Sequence, residues 1–278
     1  YNSDTHRHLK YLPSMVTPAQ IYRLKIGLLL ALLLGTVIWM ISMGRIPQNP
    51  AYHQFADQRT LLGVPHFWNV VSNFIFVLVG VMGLRFLSGQ NWEPSFAESW
   101  ERKVFLILFL GCFLTGFGSG YYHYGPENET LFWDRLPLTF VFATFLVSIF
   151  IDRIGPLAGK RLFLPTVFLC AFSIIQWHWS EVNGRGDLRL YWLVQFFPMA
   201  AIPLMLLIFE PRYTRGGGLW LVLAAYGTAK LTENFDRQVF EFTGLMLSGH
   251  TIKHLSAGLG AWLILLTLKR RRPVAPSD

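Results

Sequence analysis

Arg102-Lys103-Val104-Phe105-Leu106-Ile107-Leu108-Phe109-Leu110-Gly111-Cys112-Phe113-Leu114-Thr115-Gly116-Phe117-Gly118-Ser119-Gly120-Tyr121-Tyr122-His123 is an apolar run with a basic pair at one end and a serine and a histidine at the other. Residues 104–122 carry no charge. They are long enough for a helix that crosses a bilayer core, which takes about 20 residues. Ser119 and His123 stand four apart, so on a helix they share one face. A second pair with the same spacing lies far downstream, in Gly249-His250-Thr251-Ile252-Lys253-His254. Ionisable groups inside membrane segments are costly and usually functional.

The whole chain reads as membrane protein. Of 278 residues, 53% are hydrophobic, 16% aromatic and 14% charged, with a mean hydropathy of +0.38. Soluble domains carry about 25% charged residues. The formal charge of +8 does not point to nucleic acid, because the basic residues gather in short connections between apolar runs. Cys112 and Cys170 both fall in apolar runs and are expected to be free, packed thiols.

Apolar run length predicts eight spans, at 26–43, 67–87, 104–122, 135–151, 162–179, 190–209, 219–232 and 248–268. The seventh is the weakest, being short and running into Lys230, Glu233 and Asp236. The first is expected to be an uncleaved anchor rather than a signal peptide, since 25 residues precede it and no small-x-small site follows. The expected fold class is thus an all-α membrane protein. Its parts are a cytoplasmic segment over 1–25, an extra N-terminal transmembrane helix over 26–43, a seven-helix domain over 50–269, and a basic, disordered tail over 270–278.

Orientation follows from lysine and arginine placement. With eight spans, Arg7, Lys10, Arg23 and Lys25, then Arg102 and Lys103, then Arg153, Lys160 and Arg161, then Lys269 to Arg272 all fall on one side, the cytoplasmic one. The opposite connections hold fewer, such as Arg45 and Arg59, or Arg185 and Arg189. Both termini are then inside. His123 at the end of the third span, Asp134 at the start of the fourth, and His250 and His254 at the start of the eighth share one depth near the outer face.

Three histidines at one depth suggest a metal, since neutral imidazole is the commonest protein ligand for zinc. Three ligands leave the fourth tetrahedral position open for a water whose pKa falls towards ~7. Asp134 is then placed to accept a hydrogen bond from that water and carry a proton to the leaving group. Ser119, one turn before His123, is placed to donate to a developing oxyanion. No His-Glu-x-x-His or Gly-x-Ser-x-Gly motif is present, which removes zincin proteases and α/β-hydrolases. His178, in Gln176-Trp177-His178-Trp179, reads as part of an interfacial aromatic belt. His53 and His66 read as surface residues of the first outer connection. Lys230, Glu233, Asp236 and Arg237 either form a buried charge network beside the site or simply end the seventh span. Asn128-Glu129-Thr130 is a glycosylation sequon, meaningful only in a secretory-pathway host.

Taken together, Ser119-x-x-x-His123, Asp134 and His250-x-x-x-His254 resemble the signature of the alkaline ceramidase branch of the CREST superfamily of membrane hydrolases. Phe67-Trp68-Asn69-Val70-Val71-Ser72-Asn73 is similar to the start of that family's first core helix. The likeness spans roughly residues 50–270, with spans two to eight as the core seven helices and the first as an addition. By resemblance, His123, His250 and His254 bind zinc, Asp134 contacts the zinc water and Ser119 assists in the transition state. The implied reaction is hydrolysis of the amide of a ceramide-like lipid to a sphingoid base and a fatty acid.

The chain departs from the pattern in one place. Eukaryotic members carry an acidic calcium-binding segment before the first core helix. Here the stretch reads Tyr52-His53-Gln54-Phe55-Ala56-Asp57-Gln58-Arg59, with His66 where an acidic residue belongs. Asp57 alone is a poor calcium site, because calcium takes six to eight oxygens, so calcium dependence does not follow from the likeness. Short connections, the extra helix and the lack of a eukaryotic retention signal suggest a bacterial inner membrane. Two other classes fit parts of the pattern: a metal-binding receptor or scaffold, like the progestin and adipoQ receptor relatives in the same superfamily, and a bis-histidine haem protein. Amide-lipid turnover separates the first from an enzyme, and a Soret band reveals the second.

Overall fold

Apolar runs this long, with their backbone polar groups shielded from water, have one local solution, the helix. A computed structural model describes residues 17–274, and its described residues form helices joined by short connections. Arg7 and Lys10 lie outside the described residues. In chain order the helices are α1 (Pro18–Ser42), α2 (Phe67–Val71), α3 (Phe74–Ser88), α4 (Arg102–Tyr124), α5 (Asn128–Arg153), α6 (Pro156–Val182), α7 (Arg189–Ile208), α8 (Gly217–Asn234), α9 (Asp236–Phe242) and α10 (Gly249–Arg270). Among the described residues, seven helical segments are long and apolar enough to cross a membrane, with α2 and α3 together forming one of them, Phe67–Ser88. The protein is an all-α, multi-pass membrane bundle. Large apolar side chains left exposed, among them Leu24, Phe117 and Phe168, lie where lipid chains would cover them.

The seventh expected span, at 219–232, is α8, which is not among the seven segments found long and apolar enough to cross. Its last turns carry Lys230 and Glu233, which turn inward to polar partners. α1 begins earlier than its apolar run, because Thr17 caps it with a hydrogen bond from Gln20 N and Pro18 occupies the first turn. Only Leu29 of α1 is buried, and the helix packs chiefly along α7.

α4 and α5 form an antiparallel pair that carries the site. A Cβ on Gly118 would come within 2.1 Å of the Trp133 carbonyl oxygen, so glycine there permits the close approach that sets Ser119 beside Asp134. α10 docks against α8 and α3. Its start is set by Ser248, which accepts from Thr251 N at 3.0 Å, and by Gly249, whose Cβ would come within 2.1 Å of the Thr232 carbonyl. The core between α3, α4 and α10 is built from Val79, Leu108, Phe109, Cys112 and Leu265, while Trp177, Ile174, Leu131 and Tyr122 fill the space between α4, α5 and α6. Cys112 and Cys170 are free and buried, as expected.

The tail corrects an expectation. Residues 271–274 are not a loose basic end. Arg271 is buried with its guanidinium 3.9 Å from the Tyr213 ring centre and donates to the Ser95 carbonyl at 2.9 Å. Backbone bonds from Thr214 N to Arg272 O at 2.9 Å and from Val274 N to Arg212 O at 2.8 Å continue the docking. Aromatic walls and a buried carboxylate, Glu101, 3.9 Å from Arg271, make a folded place for a charge that composition assigned to solvent. Residues 275–278 lie outside the described residues.

Candidate metal centre

His123 closes the last turn of α4, while His250 and His254 open α10. All three are buried, at 1%, 4% and 2% exposure. One ring nitrogen from each can be chosen so that all lie within 4.8 Å of one another. The ring centres form a nearly equilateral triangle, 4.7, 4.8 and 4.9 Å on its sides. His123 Nε2 and His250 Nε2 are 3.2 Å apart. Two nitrogens on a tetrahedral zinc, with bonds of roughly 2.0–2.1 Å, sit about 3.3 Å apart. His254 Nε2 is buried without a hydrogen-bond partner. Three converging imidazoles with an unpaired buried nitrogen therefore fit a borderline-soft divalent metal.

The surroundings orient these rings. His254 Nδ1 meets Ser72 Oγ at 2.8 Å, at the break between α2 and α3. Asn69, also on that broken helix, accepts from Thr251 Oγ1 at 2.9 Å and Ser248 Oγ at 3.2 Å. Asp236 accepts from His250 N at 2.7 Å and from Ala56 N at 2.8 Å, tying the connection between α1 and α2 to the start of α10. A carboxylate at that place also complements the helix dipole. Phe55 lies against His123 and His250 with ring centres 4.6 Å away in both cases, a cover from the same connection.

A charge network flanks the histidines. Glu233 pairs with Lys253 and Lys230, each at 2.6 Å, and accepts from Tyr52 Oη at 3.3 Å. Lys253 Nζ is 3.3 Å from His250 Nε2. Of the four residues Lys230, Glu233, Asp236 and Arg237, the first two join Lys253 in a half-buried charge network beside the site, Asp236 caps the start of α10, and Arg237 is exposed. Ser119 is buried, and its hydroxyl lies beside the half-buried Asp134 carboxylate. Asp134 stands outside the tight histidine group.

Two histidines expected at the surface are half-buried. His53 bridges Tyr122 Oη and Asn128 Oδ1, both at 3.0 Å, and burial lowers its pKa. The neutral ring then donates from Nε2 to Asn128 and accepts at Nδ1 from Tyr122. His66 Nδ1 meets the His123 carbonyl oxygen at 3.0 Å. Sequence gave no sign of this because both residues sit in a polar connection without periodicity. His178, expected in an interfacial aromatic belt, stands between Trp177, which is fully buried, and Trp179, which is exposed. His178 packs on Phe132 at 4.8 Å. Ser72, Asn69 and Lys253 were missed as parts of the site; their only signal was placement on the apolar segments that carry or face the histidines.

Fold and site together define a class: multi-pass helical membrane proteins with a buried three-histidine cluster at one end of the bundle. A ceramidase family model matches residues 63–199, α2 to α7, including Ser119, His123 and Asp134. Over that stretch the chain belongs to the ceramidase family. His250 and His254 lie beyond it. No curated protein matches the chain.

Proposed function

We propose that this protein is a zinc-dependent intramembrane amidase that cleaves ceramide or a related amide lipid into a sphingoid base and a fatty acid. The observation that carries the reading is the buried triangle of His123, His250 and His254 beside Ser119 and Asp134, in a chain whose family hydrolyses ceramide. Held by the three imidazoles, zinc would supply a Lewis acid and a water acidified to near neutrality. Asp134 takes a proton from the attacking water at its carboxylate and delivers it to the amide nitrogen, so that the C–N bond breaks and a free amine leaves. Ser119 donates from Oγ to the carbonyl oxygen as negative charge builds there. Ser72 holds the His254 ring through Nδ1, and Asp236 holds the start of α10. Phe55 and Tyr122 keep bulk water from the cluster.

The proposal includes orientation and compartment. Basic residues flanking the ends of α4, α5 and α6 away from the histidines support a site towards the outer face, and with α8, packed along α10, as an eighth crossing both termini are cytoplasmic. The short connections support a bacterial inner membrane. The deciding experiment incubates detergent-purified protein with a long-chain ceramide and measures released fatty acid by mass spectrometry. Release by wild type but not by His250→Ala supports the reading. No release from ceramide or any amide lipid overturns it.

A further inference from the structure

Lys253 is a charged side chain in contact with the histidines, and the mechanism above gives it no work. It lies on α10, three residues after His250 and one before His254. Its Nζ is 3.3 Å from His250 Nε2 and 2.6 Å from Glu233 Oε1. The side chain is 21% exposed, while the three histidines are buried, so the ammonium stands between the cluster and the surface. A lysine within a membrane segment is costly, and its pairing with Glu233 does not account for it. Lys230 already meets the other oxygen of that carboxylate at 2.6 Å, and Tyr52 Oη donates to it at 3.3 Å. A carboxylate so supplied needs no second ammonium. Asp134, another carboxylate whose charge Lys253 feels, turns to Ser119 and makes no ion pair among the described residues.

An ammonium has three N–H donors and no acceptor. One N–H goes to Glu233, and a second meets the lone pair of His250 Nε2. That nitrogen also lies 3.2 Å from His123 Nε2, inside the proposed ligand set. A nitrogen that binds a metal has no lone pair left to accept with. In the loaded site the second N–H is therefore released while the ammonium stays beside the ligand nitrogen, held by Glu233. Amide hydrolysis makes an anion at such a place. The water oxygen joins the acyl carbon and charge builds on the acyl oxygen. The C–N bond then breaks, both water protons leave on the amine, and the acid remains as a carboxylate. A preorganised cationic donor stabilises that charge, and its hydrogen bonds to an anion are stronger than those to a neutral group.

We propose that Lys253 is a further catalytic residue, which donates to the acyl oxygen during cleavage and holds the fatty-acid carboxylate afterwards. The proposal rests on the amidase reading and assigns the acyl side of its reaction. The test compares palmitate with palmitamide, which share a chain and differ in a charged against a neutral head. Binding of each to detergent-purified protein of measured zinc content is followed by calorimetry for wild type, Lys253→Met and Lys253→Arg. The kcat and KM for ceramide are measured beside it. Wild type is expected to bind palmitate more tightly than palmitamide. Lys253→Met should lose about 10- to 100-fold in palmitate affinity, the worth of a charged hydrogen bond, with far less change for palmitamide and full zinc content. Its kcat should fall while KM holds, and Lys253→Arg should restore part of both losses. Equal binding of the two heads by wild type overturns the proposal, and that result stands even where a variant fails to fold. Full palmitate affinity in Lys253→Met also overturns it, leaving the lysine a partner of Glu233 alone. Loss of affinity only where zinc is lost as well overturns it by making the lysine a support of the metal. Lysine-dependent palmitate binding without any ceramide hydrolysis sinks the amidase reading and keeps the carboxylate site.

Discussion

His123 Nε2 and His250 Nε2 lie 3.2 Å apart although the residues are 127 positions apart in sequence. The distance arises because α4 ends and α10 begins at the same end of the bundle, each fixed by close helix contacts at Gly118 and Gly249. Two neutral imidazoles at that separation can share one hydrogen bond. The third, His254, has a buried Nε2 with no partner. A cluster that leaves a buried polar nitrogen without a partner is incomplete by itself, and in the proposed reading a metal completes it.

The metal reading predicts about one zinc per chain in detergent-purified protein, by elemental analysis. His250→Ala should lose most of it. Wild-type zinc content in that variant would refute the ligand set.

Ser72 is predicted to tune the metal without touching it. Its hydroxyl fixes the His254 ring through Nδ1. Ser72→Ala should weaken zinc retention by about 10- to 100-fold, the usual effect of losing such a partner, read by competition with a chelator. Unchanged retention would make the contact a packing detail.

Asp134 and Ser119 are predicted to act in chemistry rather than in folding. Asp134→Asn is nearly isosteric but removes the basic carboxylate, so amide hydrolysis should fall by roughly 10²–10⁴ while zinc content and Tm hold. Ser119→Ala removes one oxyanion contact and should cost about 10²–10³. Full activity in Asp134→Asn would end this mechanism. Loss of zinc together with activity would instead make Asp134 a ligand.

Topology is tested apart from chemistry. Reporter fusions after Ser88 and after Gly125, at opposite ends of the α4 crossing, should report cytoplasm and outer side respectively. Signals from the same side would mean that α4 does not span the membrane.

Fold class, the helical runs and the three histidines were legible in the sequence because each rests on a local rule. Uncharged runs of about 20 residues must be helical in lipid, and i, i+4 spacing puts paired side chains on one face whatever the tertiary packing. Only the folded bundle decided what stands around those faces. Ser72 and Asn69 meet α10 because the helix breaks at residues 72–73. Lys253 meets Glu233 and the tail arginine Arg271 leaves solvent for an aromatic pocket, because helices distant in sequence converge there. Periodicity reports one helix's faces and charge patterning reports a preference for water. Neither reports which buried partner another segment will supply, and for Arg271 and His53 that partner overrode the preference of the residue alone.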